Sequence, residues 1–262
     1  MTNQSGGLEA SLAGKRGLVL GVANDSSIAY GCAKAFRAAG ATLAITYLNE
    51  RTRDFTAPLA EALETDIYLP CDVREKGQLE AVFEEIGRRW GTLDFVLHSI
   101  AYAPREDLHG RVTDSSRDGF ATAVDVSCHS FIRCAHLAEP LMRDGGTLLT
   151  VSFFGAEKVV EHYNLVGPVK AALEASARYM AAELGAGGIR VHALSPGPLR
   201  TRAASGLDRF DELLERAAAK APQHALVTIE DVGALAAFLV SDGAKAMTGG
   251  IHYVDGGFNI LG

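Results

Sequence analysis

Two side chains stand out for the chemistry they could do together: Tyr163 and Lys170, separated by six residues. A free phenol titrates at about 10 and a lysine at about 10.4. A nearby ammonium favours a more acidic phenol, which donates a stronger hydrogen bond to a developing oxyanion. The ammonium can also hold the ribose of a nicotinamide. Seven residues is close to two turns, so on a continuous helix both groups would share one face, about 10 Å apart along the axis. Gly167-Pro168 interrupts that arrangement. Proline favours the first turn of a helix, which leaves Tyr163 in the approach to it. Taken alone, a Tyr and a Lys at this spacing carry no meaning, so their weight depends on where the fold puts them.

A second site candidate lies near the N-terminus, in Gly21-Val-Ala-Asn-Asp-Ser-Ser27-Ile-Ala-Tyr-Gly31. Gly21 allows a turn at a strand end, Ser27 offers a hydroxyl and an N–H at a helix start, and Gly31 lets that helix approach the sheet. Free N–H groups at a helix N-terminus favour a pyrophosphate. The spacing departs from G-x-G-x-x-G, so by itself it is also compatible with a tight turn that binds nothing. Further along, Asp72 follows a strand and can accept from an adenine amino group. Ser99, Ile100 and Ala101 follow another and are small enough to lie beside a cofactor. His98 reads as a hydrogen-bonded histidine at a strand end rather than a catalytic one.

Elements that could position these residues alternate along the chain. Short apolar runs at 16–22, 42–47, 66–70, 93–99, 146–152, 189–195 and 250–254 read as strands buried on both faces. Helical patterns at 28–39, closed by Gly40, at 75–90, and at 229–241, led by Thr228, fall between them. The expected fold is α/β: one Rossmann-type, doubly wound, parallel seven-stranded sheet with helices on both faces. Residues 1–13 read as a flexible N-terminus and 14–262 as a single domain. Between about 198 and 227 no strand signal occurs, and a helix is expected at 210–220. An insert of this size after a strand end reads as a substrate-binding lid, with a surface packing helix as the plainer alternative.

Bulk properties exclude several classes. The net charge of −7 argues against phosphate-backbone binding, so no nucleic-acid partner is expected. No apolar run approaches the roughly 20 residues of a membrane span, and Met1 to Gly7 lacks a signal-peptide pattern. Cys32, Cys71, Cys128 and Cys134 form no C-x-x-C pair and read as buried thiols in a reducing, cytoplasmic setting. No metal site is expected.

From Gly14 to Ile260 the chain resembles the bacterial enoyl-[acyl-carrier-protein] reductases, the divergent branch of the short-chain dehydrogenase/reductase superfamily. The resemblance rests on 21–31, Cys71-Asp-Val73, His98-Ser-Ile-Ala-Tyr-Ala-Pro104, Tyr163-x6-Lys170, Ile189-Arg-Val-His-Ala-Leu-Ser-Pro-Gly-Pro-Leu-Arg-Thr201, Thr228-Ile-Glu-Asp-Val-Gly233 and Val254-Asp-Gly-Gly-Phe258. Ordinary superfamily members space tyrosine and lysine four apart, and the wider spacing favours this branch. The resemblance implies hydride transfer from a nicotinamide to the β-carbon of a trans-2-enoyl thioester on acyl carrier protein, in fatty acid synthesis. Tyr163 would stabilise the enolate and Lys170 would bind the nicotinamide ribose. The Leu199 backbone would hold the carboxamide and Thr201 the pyrophosphate. The implied cofactor contacts are Gly21, Ser27, Ile28, Leu48, Asp72, Val73, Ser99, Ile100, Ala101, Lys170, Gly197, Leu199, Thr201 and Ala203. The implied substrate contacts are Tyr102, Ala103, Phe153 and Tyr163, with the 203–206 stretch bordering the acyl pocket. Phe154 and Val160 would help form the apolar slot. A homotetramer is implied, with the apolar C-terminus as a candidate interface.

Three features bear on specificity. Neither acid nor base stands at Leu48 or Asn49, which favours NADH, while Arg51 and Arg53 keep NADPH possible. The family's second tyrosine, ten residues before the catalytic one, is Phe153 here. Ala101 replaces a common glycine and narrows the site. These departures leave room for a paralogue acting on an unusual enoyl thioester. A carbonyl reductase acting on a 3-ketoacyl or other ketone is the main alternative, disfavoured by the tyrosine–lysine spacing and by Asp125 where classical members carry Asn. A non-catalytic nucleotide-binding module is a third reading, opposed by the retained Tyr163 and Lys170.

Overall fold

Each expected strand forms, with ends within two residues of expectation. The computed structural model describes residues 11–201 and 210–261. Its strands are β1 (Arg16–Leu20), β2 (Thr42–Tyr47), β3 (Ile67–Pro70), β4 (Phe95–His98), β5 (Gly146–Val151), β6 (Ile189–Pro196) and β7 (Ile251–Val254). They pair in the order β3-β2-β1-β4-β5-β6-β7, every pair parallel. The order reverses between β1 and β4, which opens a crevice at the C-terminal strand ends.

The helices are α1 (Ile28–Ala38), α2 (Glu50–Ala62), α3 (Gln78–Trp90), α4 (Arg105–Leu108), α5 (Arg117–Val124), α6 (Ser130–Ala138), α7 (Val166–Leu184), α8 (Phe210–Lys220) and α9 (Ile229–Val240). A π-helical turn, Asp125–His129, joins α5 to α6. Both faces of the sheet are covered. Phe83, Ile86, Phe131 and Leu173 pack against one face. Phe36, Val232, Ala236 and Leu239 pack against the other. The expected start of α9 is borne out as a full capping box between Thr228 and Asp231. α2 was not among the expected helices, and Pro58 lies inside it. Its start is fixed by a capping box between Asn49 and Thr52, and the proline alters only one link of the ladder.

The role expected for Gly31 is corrected. A Cβ there would lie 2.4 Å from the Ile229 carbonyl oxygen, and one at Gly233 would lie 2.6 Å from the Gly31 oxygen. The two glycines therefore let α1 and α9 cross backbone to backbone, rather than letting α1 approach the sheet. Gly31→Ala should force these helices apart and cost about 1–3 kcal/mol, the usual penalty for overpacking. A fall of several degrees in Tm would register it, and an unchanged Tm would contradict this packing role.

Among the described residues, no helix is long and apolar enough to cross a membrane. No cluster of metal-ligating side chains occurs there either.

Candidate active site

A cavity of about 720 Å³ runs along the C-terminal strand ends, from Leu48 and Asp72 to Tyr163 and Lys170. At its centre the chain leaves β1 through Gly21, whose φ is +99°. A Cβ there would lie 2.1 Å from the Ser99 carbonyl oxygen. Only glycine supports both the turn and that approach. Ile28, at the start of α1, lines the cavity, and the free N–H groups of a first turn suit an anion. The Ser27 hydroxyl behaves differently from expectation. It donates to the Asn24 carbonyl at 2.7 Å, and Ser27 is buried outside the cavity lining. Its hydroxyl proton closes the turn, so it shapes the phosphate end from behind.

At the other end of the crevice, Thr46, Leu48, Thr52, Cys71, Asp72, Val73 and Arg74 line the walls. Asp72 accepts from Arg74 Nε at 3.0 Å and from Arg74 Nη2 at 2.7 Å. That hydrogen bonding holds its carboxyl below the usual range, so the group offers a fixed acceptor. The Arg74 guanidinium lies 5.3 Å from the Tyr102 ring centre. Sequence reasoning missed Arg74, since an arginine four positions past a strand carries no spacing signal. Arg53, weighed as a 2′-phosphate partner, is paired with Glu50 at 3.2 Å.

The reducing end is built by β4, β5, β6 and the approach to α7. Ser99, Ile100, Ala101, Tyr102, Ala103, Phe153, Gly197, Leu199 and Thr201 all line the cavity. Ala203 lies outside the described residues, as does the 203–206 stretch. The loop after β4 is clasped by Ser127, whose hydroxyl accepts from the Tyr102 N–H at 2.9 Å and donates to the Tyr102 carbonyl at 3.0 Å. Ser127 sits in the π-helical turn and faces the cavity. Asp125, expected at the position of the classical asparagine, is exposed and pairs with His129 at 3.0 Å. Ser127, in the same π turn, lines the cavity where Asp125 does not.

Tyr163 precedes α7, as the proline rule implied. His162 and Asn164 on either side have φ of +64° and +44°, so the backbone is strained on both flanks. The ring is 8% exposed and packs against Phe153, with centroids 4.7 Å apart at 55°. A Cβ at Gly155 would lie 2.4 Å from the Tyr163 ring, which makes Gly155 a requirement of this packing that the sequence did not flag. The expectation of an acidified phenol is overturned. Burial, and then the charge of Glu174, raise its pKa above the ordinary value. Tyr163 is therefore a neutral hydrogen-bond donor. Lys170 Nζ donates to the Val151 carbonyl at 2.6 Å, and burial lowers its pKa to about 8. His98 is structural, as expected. It is fully buried between Thr150 and Ser130, and burial keeps it neutral with a pKa of about 3.

α8 closes over this end. Ala217 and Ala221 pack with Phe154 and Phe258, Leu213 reaches the cavity, and Arg216 pairs with Glu161 at 2.5 Å.

A doubly wound parallel sheet with a glycine turn at its switch point and a Tyr–Lys pair at the crevice end defines a dinucleotide-binding oxidoreductase fold. The family model for enoyl-(acyl carrier protein) reductase matches residues 21–259. An enoyl-[acyl-carrier-protein] reductase [NADH] from Rhizobium meliloti is 47% identical over 247 residues, covering 94% of this chain and 92% of that protein. The corresponding Salmonella typhimurium reductase is 45% identical, covering 95% of each. The crystal structure of the Anaplasma phagocytophilum reductase in complex with NAD superposes with a TM-score of 0.92 at 45% identity, covering 95% of each chain. The Bacillus cereus reductase, with NADP⁺ and an indole naphthyridinone, gives 0.93 at 45% identity, covering 96% of this chain and 98% of that one. The chain belongs to the enoyl-(acyl carrier protein) reductase family.

Proposed function

We propose that this enzyme reduces the trans-2 double bond of an enoyl thioester on acyl carrier protein, using NADH, in fatty acid synthesis. The observation that carries the proposal is that Tyr163 and Lys170 both line a cavity that extends to Leu48, Asp72 and Val73. The shape suits an extended dinucleotide: a glycine turn with no room for a Cβ, a helix N-terminus for the pyrophosphate, and a fixed carboxylate for the adenine amino group. When bound, the nicotinamide supplies the hydride that adds to the β-carbon of the enoyl group. Lys170 holds and orients the nicotinamide ribose. The Leu199 backbone holds the carboxamide, and Thr201 the pyrophosphate. The neutral Tyr163 hydroxyl donates to the thioester oxygen as enolate charge builds there. Phe153, Ile100 and Ala103 give the acyl chain an apolar wall.

NADH is preferred because uncharged Leu48 follows β2 and Arg53 is held by Glu50, so a 2′-phosphate would have to break that pair to use Arg53. Residues 14–262 act as one domain, with about 198–227 as a lid whose α8 covers the acyl end. Four copies assemble, and the exposed Ile260 and Leu261 are candidate interface residues. The four buried free thiols fit a reducing cytoplasm.

The direct test is NADH and NADPH oxidation with crotonyl and longer enoyl thioesters, beside the matching ketones. Enoyl turnover with NADH, and little with NADPH, is expected. Ketone turnover alone would replace this reading with carbonyl reduction, and tight nucleotide binding without turnover would make the chain a binding module. A narrow preference for one unusual acyl group would mark a paralogue with Phe153 as its adaptation. Light scattering checks the tetramer.

A further inference from the structure

Behind the reducing site lies a second buried ionisable group that the reaction scheme does not use. Glu174 is 4% exposed and sits one helical turn beyond Lys170 on α7, so the two share a face. Its Oε1 accepts from the Ser152 hydroxyl at 2.5 Å. Lys170 Nζ donates to the carbonyl of Val151 at 2.6 Å. Val151 and Ser152 are consecutive residues where β5 reaches the cavity. Two neighbouring contacts thus staple α7 to the end of β5, one carrying a cation and the other an acid.

We propose that Glu174, fixed by Ser152, is the positioning residue that keeps the buried Lys170 ammonium charged and aimed at the nicotinamide ribose. The inference rests on the reading of Lys170 as the ribose-binding group. A lysine buried without an anion loses its proton readily, because desolvation penalises the charged form. Desolvation does act on Lys170, and Cys128 first and then Glu174 oppose it. The other groups facing Lys170 are Cys128 from the π-helical turn and, from β4, His98; burial keeps the His98 ring neutral. Facing Glu174 are Arg178 on α7, Glu157 after β5, Tyr163 and, from β7, Tyr253. Burial and Glu157 favour the protonated acid, while the Ser152 hydroxyl favours the carboxylate. Ser152 therefore acts on Lys170 through Glu174.

Glu174→Gln keeps an acceptor for the Ser152 hydroxyl and removes only the charge. Ser152→Ala removes the hydroxyl and leaves the acid less ionised. NADH affinity, measured by fluorescence across pH, should weaken at alkaline pH in the wild type as Lys170 loses its proton around pH 8. In Glu174→Gln that limb should move down by about one pH unit, and in Ser152→Ala it should move the same way by less. Thermal unfolding of the ligand-free protein gives an independent readout. Lys170 titrates lower in the fold than in the unfolded chain, so burying its charge costs stability at low pH and the cost is relieved as pH rises. The onset of that relief should also move down in both variants. A merely structural role would lower affinity evenly and leave both onsets in place, which overturns the inference. If Glu174→Gln does not fold, Ser152→Ala decides alone. A wild type without NADH binding or enoyl turnover would sink the functional reading instead, while the ligand-free unfolding curves would still test Glu174.

Discussion

Tyr163→Phe should lower kcat for enoyl reduction by about 10²–10³, the usual effect of removing one oxyanion donor, while NADH affinity stays nearly unchanged. The ring keeps its contacts with Phe153 and its place beside Gly155, so folding should not suffer. What disappears is one neutral O–H aimed into a closed space. Phe153 has no hydroxyl to take over, and the Tyr102 ring lies beneath the Arg74 guanidinium. Because burial raises the Tyr163 pKa, the donor stays protonated throughout the neutral range, and its loss should be equally severe from pH 6 to 8. Steady-state kcat and KM with NADH held saturating would check this. Wild-type rates in the variant would remove Tyr163 from the mechanism. A loss confined to KM would make it a binding residue only.

Gly21→Ala should be strongly damaging, because its obstruction is backbone rather than a movable side chain. The added Cβ would lie 2.1 Å from the Ser99 carbonyl oxygen at a residue with φ +99°. That oxygen belongs to the residue directly after β4, and Leu20 and His98 pair just before the turn. Relief therefore requires β1 and β4 to part where the crevice opens. A left-handed alanine costs about 1–2 kcal/mol, and overpacking adds about 1–3 kcal/mol. Together they should lower Tm by roughly 5–15 °C at the usual few degrees per kcal/mol, and NADH should no longer raise it. Gly77→Ala is the control. Gly77 has φ +86° with nothing within 4 Å of a Cβ, so only the conformational part should appear. Equal shifts in the two variants would show that the close approach to Ser99 does not matter.

Most of the fold could be read from the chain because apolar runs and helical stretches alternate without ambiguity, and a parallel sheet leaves few ways to order them. The π-helical turn could not. Asp125 was noted only as standing where classical members carry Asn, whereas Ser127, in the π turn, lines the cavity. The site divides similarly. Tyr163, Lys170, Gly21 and Asp72 were visible as residue types at strand ends. Arg74, Gly155 and Glu174 were not, because each acts through a contact with a distant residue. The phenol's environment was misjudged for the same reason. A lysine seven residues away suggested an acidic tyrosine, whereas burial and Glu174 decide the matter in three dimensions.

The four cysteines serve as internal gauges of opening. All are free and buried, with Cys32 and Cys134 fully enclosed on opposite faces of the sheet. Burial raises the Cys32 and Cys71 thiols to about 12, so an external disulfide reagent meets almost no thiolate in the closed protein. Cys71 lines the cofactor crevice and Cys32 does not. The order in which they are modified therefore distinguishes breathing of the crevice from disruption of the α1 layer, without a probe having to be introduced.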